Sequence, residues 1–285
     1  MVKENPVQTM LKDRQFKYKK QLGQNFLFNS FILNQIADEG GIEEGDLVIE
    51  AGAGAGTLTE VMAARGARVI AVEFDRALMP VLEERFKDEA AVELIQGDVM
   101  TLDLDRLARD LGREDYKIIA NLPYQISTPF LTRMFRQLEG LTGGAVMVQK
   151  EVAMKVTAEP GREGYGMLSL AAAGFGRVEL AFVLEPEYFT PPPPVDSAVI
   201  SFRRQRPKLG ADEKALWLMI RGVMNQRRKN IMNGLKSLGA FQPKNGLSWP
   251  EVLEVAGISG QCRGETLSLD QFAAIASAAG FDEQE

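Results

Sequence analysis

From Asp46 onward the chain alternates short apolar runs with amphipathic stretches. Runs at 47–51, 68–73, 92–96, 117–120 and 145–149 have the length and composition of strands. Between them, 57–64, 76–86, 104–111 and 128–138 carry apolar residues at three- and four-residue spacing and read as amphipathic helices. Strands that alternate with helices predict a parallel sheet, with right-handed crossovers covering both faces. Two further runs, 178–184 and 197–202, flank Pro191-Pro192-Pro193-Pro194 and read as a hairpin that completes the sheet. After Arg206-Pro207 the pattern is helical only, at 213–223, 227–238, 249–256 and 269–279. The pattern therefore predicts an α/β domain over 1–206 and a small all-helical domain over 207–285.

Composition narrows the chemistry. The chain of 285 residues is 45% hydrophobic, ample for a buried core. It contains no histidine, which excludes Ser-His-Asp, Cys-His and His-liganded metal chemistry. Cys262 is the single cysteine, so no intrachain disulfide and no Cys-x-x-Cys metal site can form, as suits a reducing cytoplasm. No apolar run is long enough to span a bilayer, and the polar start, residues 1–20, lacks the apolar centre of a signal peptide. The expectation is a cytoplasmic protein with no membrane partner and no metal. The net charge of -6 hides an uneven distribution. Basic residues cluster at Lys12, Arg14, Lys17, Lys19 and Lys20, at Arg203, Arg204, Arg206 and Lys208, and at Arg227, Arg228 and Lys229, while acids collect at Asp282, Glu283 and Glu285.

Glu50-Ala51-Gly52-Ala53-Gly54-Ala55-Gly56 lies where a predicted strand meets a helix, and its glycines let the backbone approach a nucleotide-like ligand. The third glycine comes one residue too early for the dinucleotide fingerprint, which argues against a pyrophosphate clamp. Glu73 closes the next strand, roughly 20 residues after the glycine turn, where a carboxylate can accept from both ribose hydroxyls. Asp98 follows the strand after that; it can accept from an adenine amino group or cap the following helix. A ribose and an adenine without a phosphate clamp suit S-adenosylmethionine better than a nicotinamide dinucleotide.

Asn121-Leu122-Pro123-Tyr124 follows the fourth strand, where ligands bind in open α/β sheets. In isolation it reads as a turn; beside a methyl-donor pocket it reads as a binder of a flat base with an exocyclic amine. The Asn121 carboxamide oxygen and the Leu122 carbonyl can each accept one N–H, turning the amine lone pair toward the methyl group. Pro123 restricts Leu122 to extended geometry, and Tyr124 offers a ring on which the base can stack. Such a base must be unpaired or flipped out.

With these residues in place, the chain resembles the ribosomal RNA adenine dimethyltransferases over nearly its whole length. The resemblance is carried by Gly23-Gln24-Asn25-Phe26-Leu27, Glu50 to Gly56, Val72-Glu73-Phe74-Asp75, Gly97-Asp98-Val99, Asn121 to Tyr124 and Pro193-Pro194-Val195-Asp196-Ser197-Ala198. Asn225-Gln226-Arg227-Arg228-Lys229 and Arg263-Gly264-Glu265-Thr266-Leu267-Ser268-Leu269 extend it into the second domain and favour the small-subunit branch. The resemblance implies a Rossmann-like S-adenosylmethionine-dependent methyltransferase sheet with a small C-terminal all-helical domain. It implies transfer of methyl groups to N6 of two adjacent adenosines in the 3'-terminal hairpin loop of small-subunit (16S) rRNA, within the immature 30S subunit, late in its biogenesis. By motif, Asn25, Leu27, Gly52, Gly54, Glu73, Asp98 and Asn121 are expected at the cofactor, and Asn121, Leu122, Pro123 and Tyr124 at the target adenine. Residues 12–20 are expected to lead into a lid formed around Asn25. Arg203, Arg204, Arg227, Arg228 and Lys229 are expected at RNA phosphates, and the chain is expected to be a monomer. The alternatives are a large-subunit rRNA adenine methyltransferase of the macrolide-resistance type and a non-catalytic ribosome assembly factor on the same fold.

Overall fold

The computed structural model describes residues 5–282. Glu283, Glu285 and the first four residues of the polar start lie outside the described residues. The strands in chain order are β1 (Phe26–Leu27), β2 (Leu47–Ala51), β3 (Arg68–Glu73), β4 (Val92–Gln96), β5 (Tyr116–Asn121), β6 (Leu141–Gln149), β7 (Gly176–Leu184), β8 (Phe189–Thr190) and β9 (Ser197–Arg204). A seven-stranded sheet runs β4-β3-β2-β5-β6-β9-β7, and a separate ribbon pairs β1 with β8. The pairs from β4 to β6 are parallel, and β9 joins β6 antiparallel. β7 and β9, expected as neighbours, lie side by side at one edge.

The chain leaves β2 toward β3 and β4, then crosses back to β5 on the other side of β2. Ligands bind at such a reversal of strand order in open α/β sheets. Val48, Val69, Ala71, Ile119, Ala145 and Met147 face the helices Ser30–Glu39 and Thr57–Ala64 in one core. Ile49, Ile70, Ile118, Ala120, Val146 and Val148, on the other parity, are equally buried. Both faces are thus covered, which is why these strands read as near-continuous apolar runs. The helix Ser127–Gln137 buries Ser127, Phe130, Leu131, Met134 and Phe135, the three-and-four spacing seen in the sequence.

Several boundaries move for local reasons. The helix expected from Arg76 starts at Met79, because Asp75 first closes a turn, taking the Ala77 N–H on its side chain and the Leu78 N–H on its carbonyl. β6 starts at Leu141, before the expected 145, with glycines inside it. A Cβ on Gly144 would stand 1.9 Å from the Ile118 carbonyl oxygen, so glycine here permits close strand approach rather than ending a strand. The helix expected over 227–238 is shorter, Ile231–Lys236, capped by Asn230, whose side chain accepts from the Asn233 N–H.

Contacts divide the chain into two compact units, Met1–Ala153 with Arg177–Arg204, and Met154–Gly176 with Gln205–Glu285. The division at 206/207 therefore needs a correction: the helical unit also takes 154–176. Tyr165 Oη donates to the Leu267 carbonyl at 2.7 Å, and the Gly161 N–H to the Glu265 carbonyl at 2.8 Å. The helix Met167–Phe175 belongs to the same unit. No helix among the described residues is long and apolar enough to cross a membrane.

Candidate active site

The carboxyl ends of β2, β3, β4 and β5, together with segment 21–27, line one cavity of about 260 Å³, near the lower end of small-molecule sites. Strand periodicity explains its acids. Glu50 shares the parity of Val48, and Glu73 that of Val69 and Ala71; the register pairs Glu50 with Ala71, so both carboxylates project from one face at neighbouring strand ends.

Both acids are buried. Burial pushes the Glu50 carboxyl up to about 8, against the opposing hydrogen bond from Thr59 Oγ1 at 2.5 Å; neighbouring Glu73 adds to the rise and Arg85 counters it. Burial also raises Glu73, held back by backbone N–H donors from Asp75 at 2.7 Å and Gly54 at 2.8 Å, one to each oxygen. The Phe74 N–H also lowers it, and the carboxylate, with up to four acceptor positions, retains capacity for a further donor. Neither carboxylate forms an ion pair among the described residues. Two buried acids, offset only by the more distant Arg85, suit a positively charged ligand.

The glycine turn brings three walls together. Gly52 and Gly54 have φ of 81° and 59°; a Cβ on Gly52 would stand 3.2 Å from Pro123, and one on Gly54 3.2 Å from the Phe26 ring. Phe26 also packs edge-on against Phe16 and Tyr18, which anchors the amino-terminal segment beside the turn. Leu27 is buried, pairs with Phe189, and accepts the Thr57 hydroxyl on its carbonyl at 2.9 Å. Asp98 lines the cavity. Its Oδ1 takes the Met100 N–H at 2.9 Å, and the next helix is capped instead by Asp103, so helix capping is not its task.

Asn121 ends β5 and donates its Nδ2 to the Asn25 carbonyl at 3.0 Å. A carbonyl can only accept, so this contact fixes the amide and leaves Oδ1 free. The Leu122 N–H donates to the Met147 carbonyl at 3.0 Å. Neither Asn121 Oδ1 nor the Leu122 carbonyl has a hydrogen-bond partner among the described residues. Tyr124 Oη lies 2.6 Å from Oγ of Ser197, which is fully buried at the start of β9.

Residues 15–274 match the family described as ribosomal RNA adenine dimethylase. The chain belongs to this family. Among curated relatives, the ribosomal RNA small subunit methyltransferase A of Geobacter metallireducens is 41% identical over 262 residues, covering 91% of this chain and 94% of that protein. The protein of the same name from Pelotomaculum thermopropionicum is 40% identical over 267 residues, covering 90% of each. In fold, a dimethyladenosine transferase from Plasmodium falciparum superposes with a TM-score of 0.77 at 22% identity, over 90% of this chain and 99% of that one. The 23S rRNA methyltransferase ErmE gives 0.69 at 23% identity, over 90% and 100%. This member of the dimethylase family is accordingly an rRNA adenine methyltransferase on a Rossmann-like α/β fold, with S-adenosylmethionine as its methyl donor.

The expected cofactor and base residues of this dimethylase all line the one cavity: Asn25, Leu27, Gly52, Gly54, Glu73, Asp98 and Asn121 to Tyr124. The expected RNA residues do not behave alike. Arg203 is exposed, but the Arg204 guanidinium donates to the carbonyls of Leu138 and Glu139, tying β9 to the chain before β6. Arg227, Arg228 and Lys229 lie in turns rather than on a helix; all three are exposed, and Arg227 also donates to the Tyr165 carbonyl at 3.0 Å. Within the amino-terminal basic cluster, Arg14 pairs with Glu84 and Lys19 with Asp75. Sequence reasoning passed over the burial of the Glu50 carboxyl, the Asp75 cluster and Ser197. The signal for Glu50 was a carboxylate inside the continuous apolar run of β2, all of whose positions are buried.

Proposed function

We propose that this cavity binds S-adenosylmethionine and that the chain dimethylates N6 of two adjacent adenosines in the 3'-terminal hairpin loop of 16S rRNA, in the immature 30S subunit. The observation that carries this reading is the pair of unpartnered acceptors, Asn121 Oδ1 and the Leu122 carbonyl, on the rim of a cavity whose buried acids call for a cation.

The donor supplies an electrophilic methyl group on a sulfonium. Glu73 would accept from the ribose hydroxyls with its remaining acceptor capacity, Asp98 from the donor's adenine amine, and Glu50 would offset positive charge. Asn25, Leu27, Gly52 and Gly54 shape the walls. The target adenine is held by acceptors from Asn121 and Leu122 on its N–H groups, two before the first transfer and one before the second, which leaves the nitrogen lone pair out of the ring plane and pointed at the methyl group; each transfer would break the sulfur–methyl bond to leave a neutral thioether and release one N–H proton to solvent. Pro123 keeps Leu122 extended, and Tyr124 provides the stacking face. No protein nucleophile and no histidine base take part. Exposed Arg203, Arg228 and Lys229 supply phosphate contacts; Arg204 is assigned to the fold instead. The helical unit contributes to subunit binding, and the chain works as a cytoplasmic monomer late in subunit assembly.

The small-subunit reading over the large-subunit one rests on the names of the relatives that are about 40% identical. Incubation with labelled S-adenosylmethionine and immature small subunits, followed by mapping of the modified nucleotides, tests it. Label on paired adenosines of the small-subunit hairpin is expected; label confined to large-subunit RNA would replace the substrate, and no label with intact subunit binding would leave an assembly factor.

A further inference from the structure

The segment before β1 is fastened at one end and presses on Asn121 at the other. Lys19 Nζ and Gln24 Nε2 donate to opposite oxygens of buried Asp75, at 2.7 and 2.8 Å, and Gln24 Oε1 accepts the Lys19 backbone N–H at 2.8 Å. Asp75 in turn donates its own N–H to Glu73 at 2.7 Å, so the fastening point is continuous with the end of β3. Against the cost of burial, Lys19 and its neighbours hold the Asp75 carboxyl below its usual range, so it stays charged and keeps both donors. One residue beyond Gln24, the Asn25 carbonyl receives Asn121 Nδ2. Gly23, with φ of 62°, lets the backbone approach Gln125 so closely that a Cβ would stand 2.0 Å from the Gln125 side-chain oxygen.

We propose that Gln24 and Asp75 are positioning residues for methyl transfer: by fastening segment 19–25 to the end of β3, they hold the Asn25 carbonyl on Asn121 and so aim Asn121 Oδ1 at the target amine. The inference rests on the proposed role of Asn121. An amide is nearly symmetric in shape, and only its hydrogen-bond partners choose which end faces the cavity. With the Asn25 carbonyl in place, the nitrogen must face it. With the segment displaced, Asn121 is free to turn over and present N–H groups to an amine that itself needs an acceptor. The fastening therefore acts on the rate through an orientation, at a distance from the reacting atoms, and not by touching the substrate.

The test uses the full chain and immature small subunits. Gln24→Glu keeps the acceptor for the Lys19 N–H but sets a carboxylate against Asp75. Single-turnover methylation at saturating S-adenosylmethionine is expected to fall by about 10- to 100-fold. The loss appears in kcat, with the KM for donor changed far less. Adding Asp75→Asn to Gln24→Glu restores an amide-carboxylate pair with its ends exchanged and is expected to recover most of the rate. Gln24→Asn, which keeps the amide but withdraws it from Asp75, carries the same kcat expectation if the first variant melts early. An unchanged kcat with a raised donor KM, or a double variant no faster than the single one, overturns the inference and makes the cluster a wall of the donor pocket only. Failure of the unsubstituted chain to bind S-adenosylmethionine in calorimetry would instead overturn the reading of the cavity itself.

Discussion

Donor binding is expected to tighten steeply between pH 6 and 7, and Glu50 is the reason. Its carboxyl, pushed up to about 8 by burial, is mostly protonated at neutral pH in the free protein. A pKa near 8 leaves roughly a hundredth of the molecules ionised at pH 6 and roughly a tenth at pH 7. If a cationic donor takes only the ionised form, the apparent Kd is the intrinsic Kd divided by that fraction, so it falls about 10-fold over this one pH unit. Calorimetry in buffers of different ionisation enthalpy should show nearly one proton released per donor bound. The window closes near pH 7.5, because α-amino groups such as the donor's lose their own proton at about 7.7 to 8.0. Glu50→Gln should flatten most of this slope. A Kd that is constant from pH 6 to 7, without proton release, would refute the reasoning. The same residue sets a stability trend of known sign. Between the ordinary 4.5 and about 8 the folded chain keeps a proton that the unfolded chain has lost, so stability present at pH 4 is lost as pH rises through 8. This is worth on the order of 4 to 5 kcal/mol across the window, and Glu50→Gln should therefore gain on the parent at pH 8 in urea melts.

Asn121→Ala should lower kcat by at least about 100-fold while sparing most subunit binding, by analogy with the loss of a preorganised hydrogen-bonding group; near-normal turnover would remove Asn121 from the proposed role. Ser197→Ala strands the half-buried Tyr124 hydroxyl and should cost about 1 to 3 kcal/mol in denaturant melts, with Tyr124→Phe in the same background restoring most of it. Reversing charge at Arg228 and Lys229 should make the salt dependence of subunit binding shallower by roughly one to two counterions in the log–log slope. Arg204→Ala should leave that slope alone and lower the melting temperature, since its guanidinium is engaged by the carbonyls at 138 and 139.

The sheet was legible because buried parallel strands announce themselves as apolar runs, and each strand from β2 to β5 ends on or beside a residue that sequence reasoning had marked. Glycine misled where it serves packing, as at Gly144, whose neighbour Ile118 is remote in sequence. The assignment of 154–176 to the helical unit was not legible, because it depends on partners such as Leu267 and Glu265 that lie about a hundred residues away. The site showed the same split. Strand-end acids and the Asn121 to Tyr124 loop could be read locally, whereas the Gln24 to Asp75 and Tyr124 to Ser197 contacts join distant segments. Arg204 shows the converse: a cation in a basic run, read toward a partner, has its guanidinium engaged by the carbonyls of Leu138 and Glu139.

The small β1 and β8 ribbon has a consequence for the order in which the enzyme is made. Phe26 finds its strand partner in Thr190, and Leu27 in Phe189, so the wall of the cavity synthesised first is secured by residues synthesised well over a hundred positions later. Domains form as the chain emerges, at about 5 to 20 residues per second. A growing chain can assemble β2 to β6 and display every strand-end acid before residue 189 exists. The wall carrying Asn25 gains its β8 partner only afterwards, once about two thirds of the chain exists, so fragments that stop short of β8 should keep the Gln24 to Asp75 fastening but lack the ribbon that secures Phe26 and Leu27.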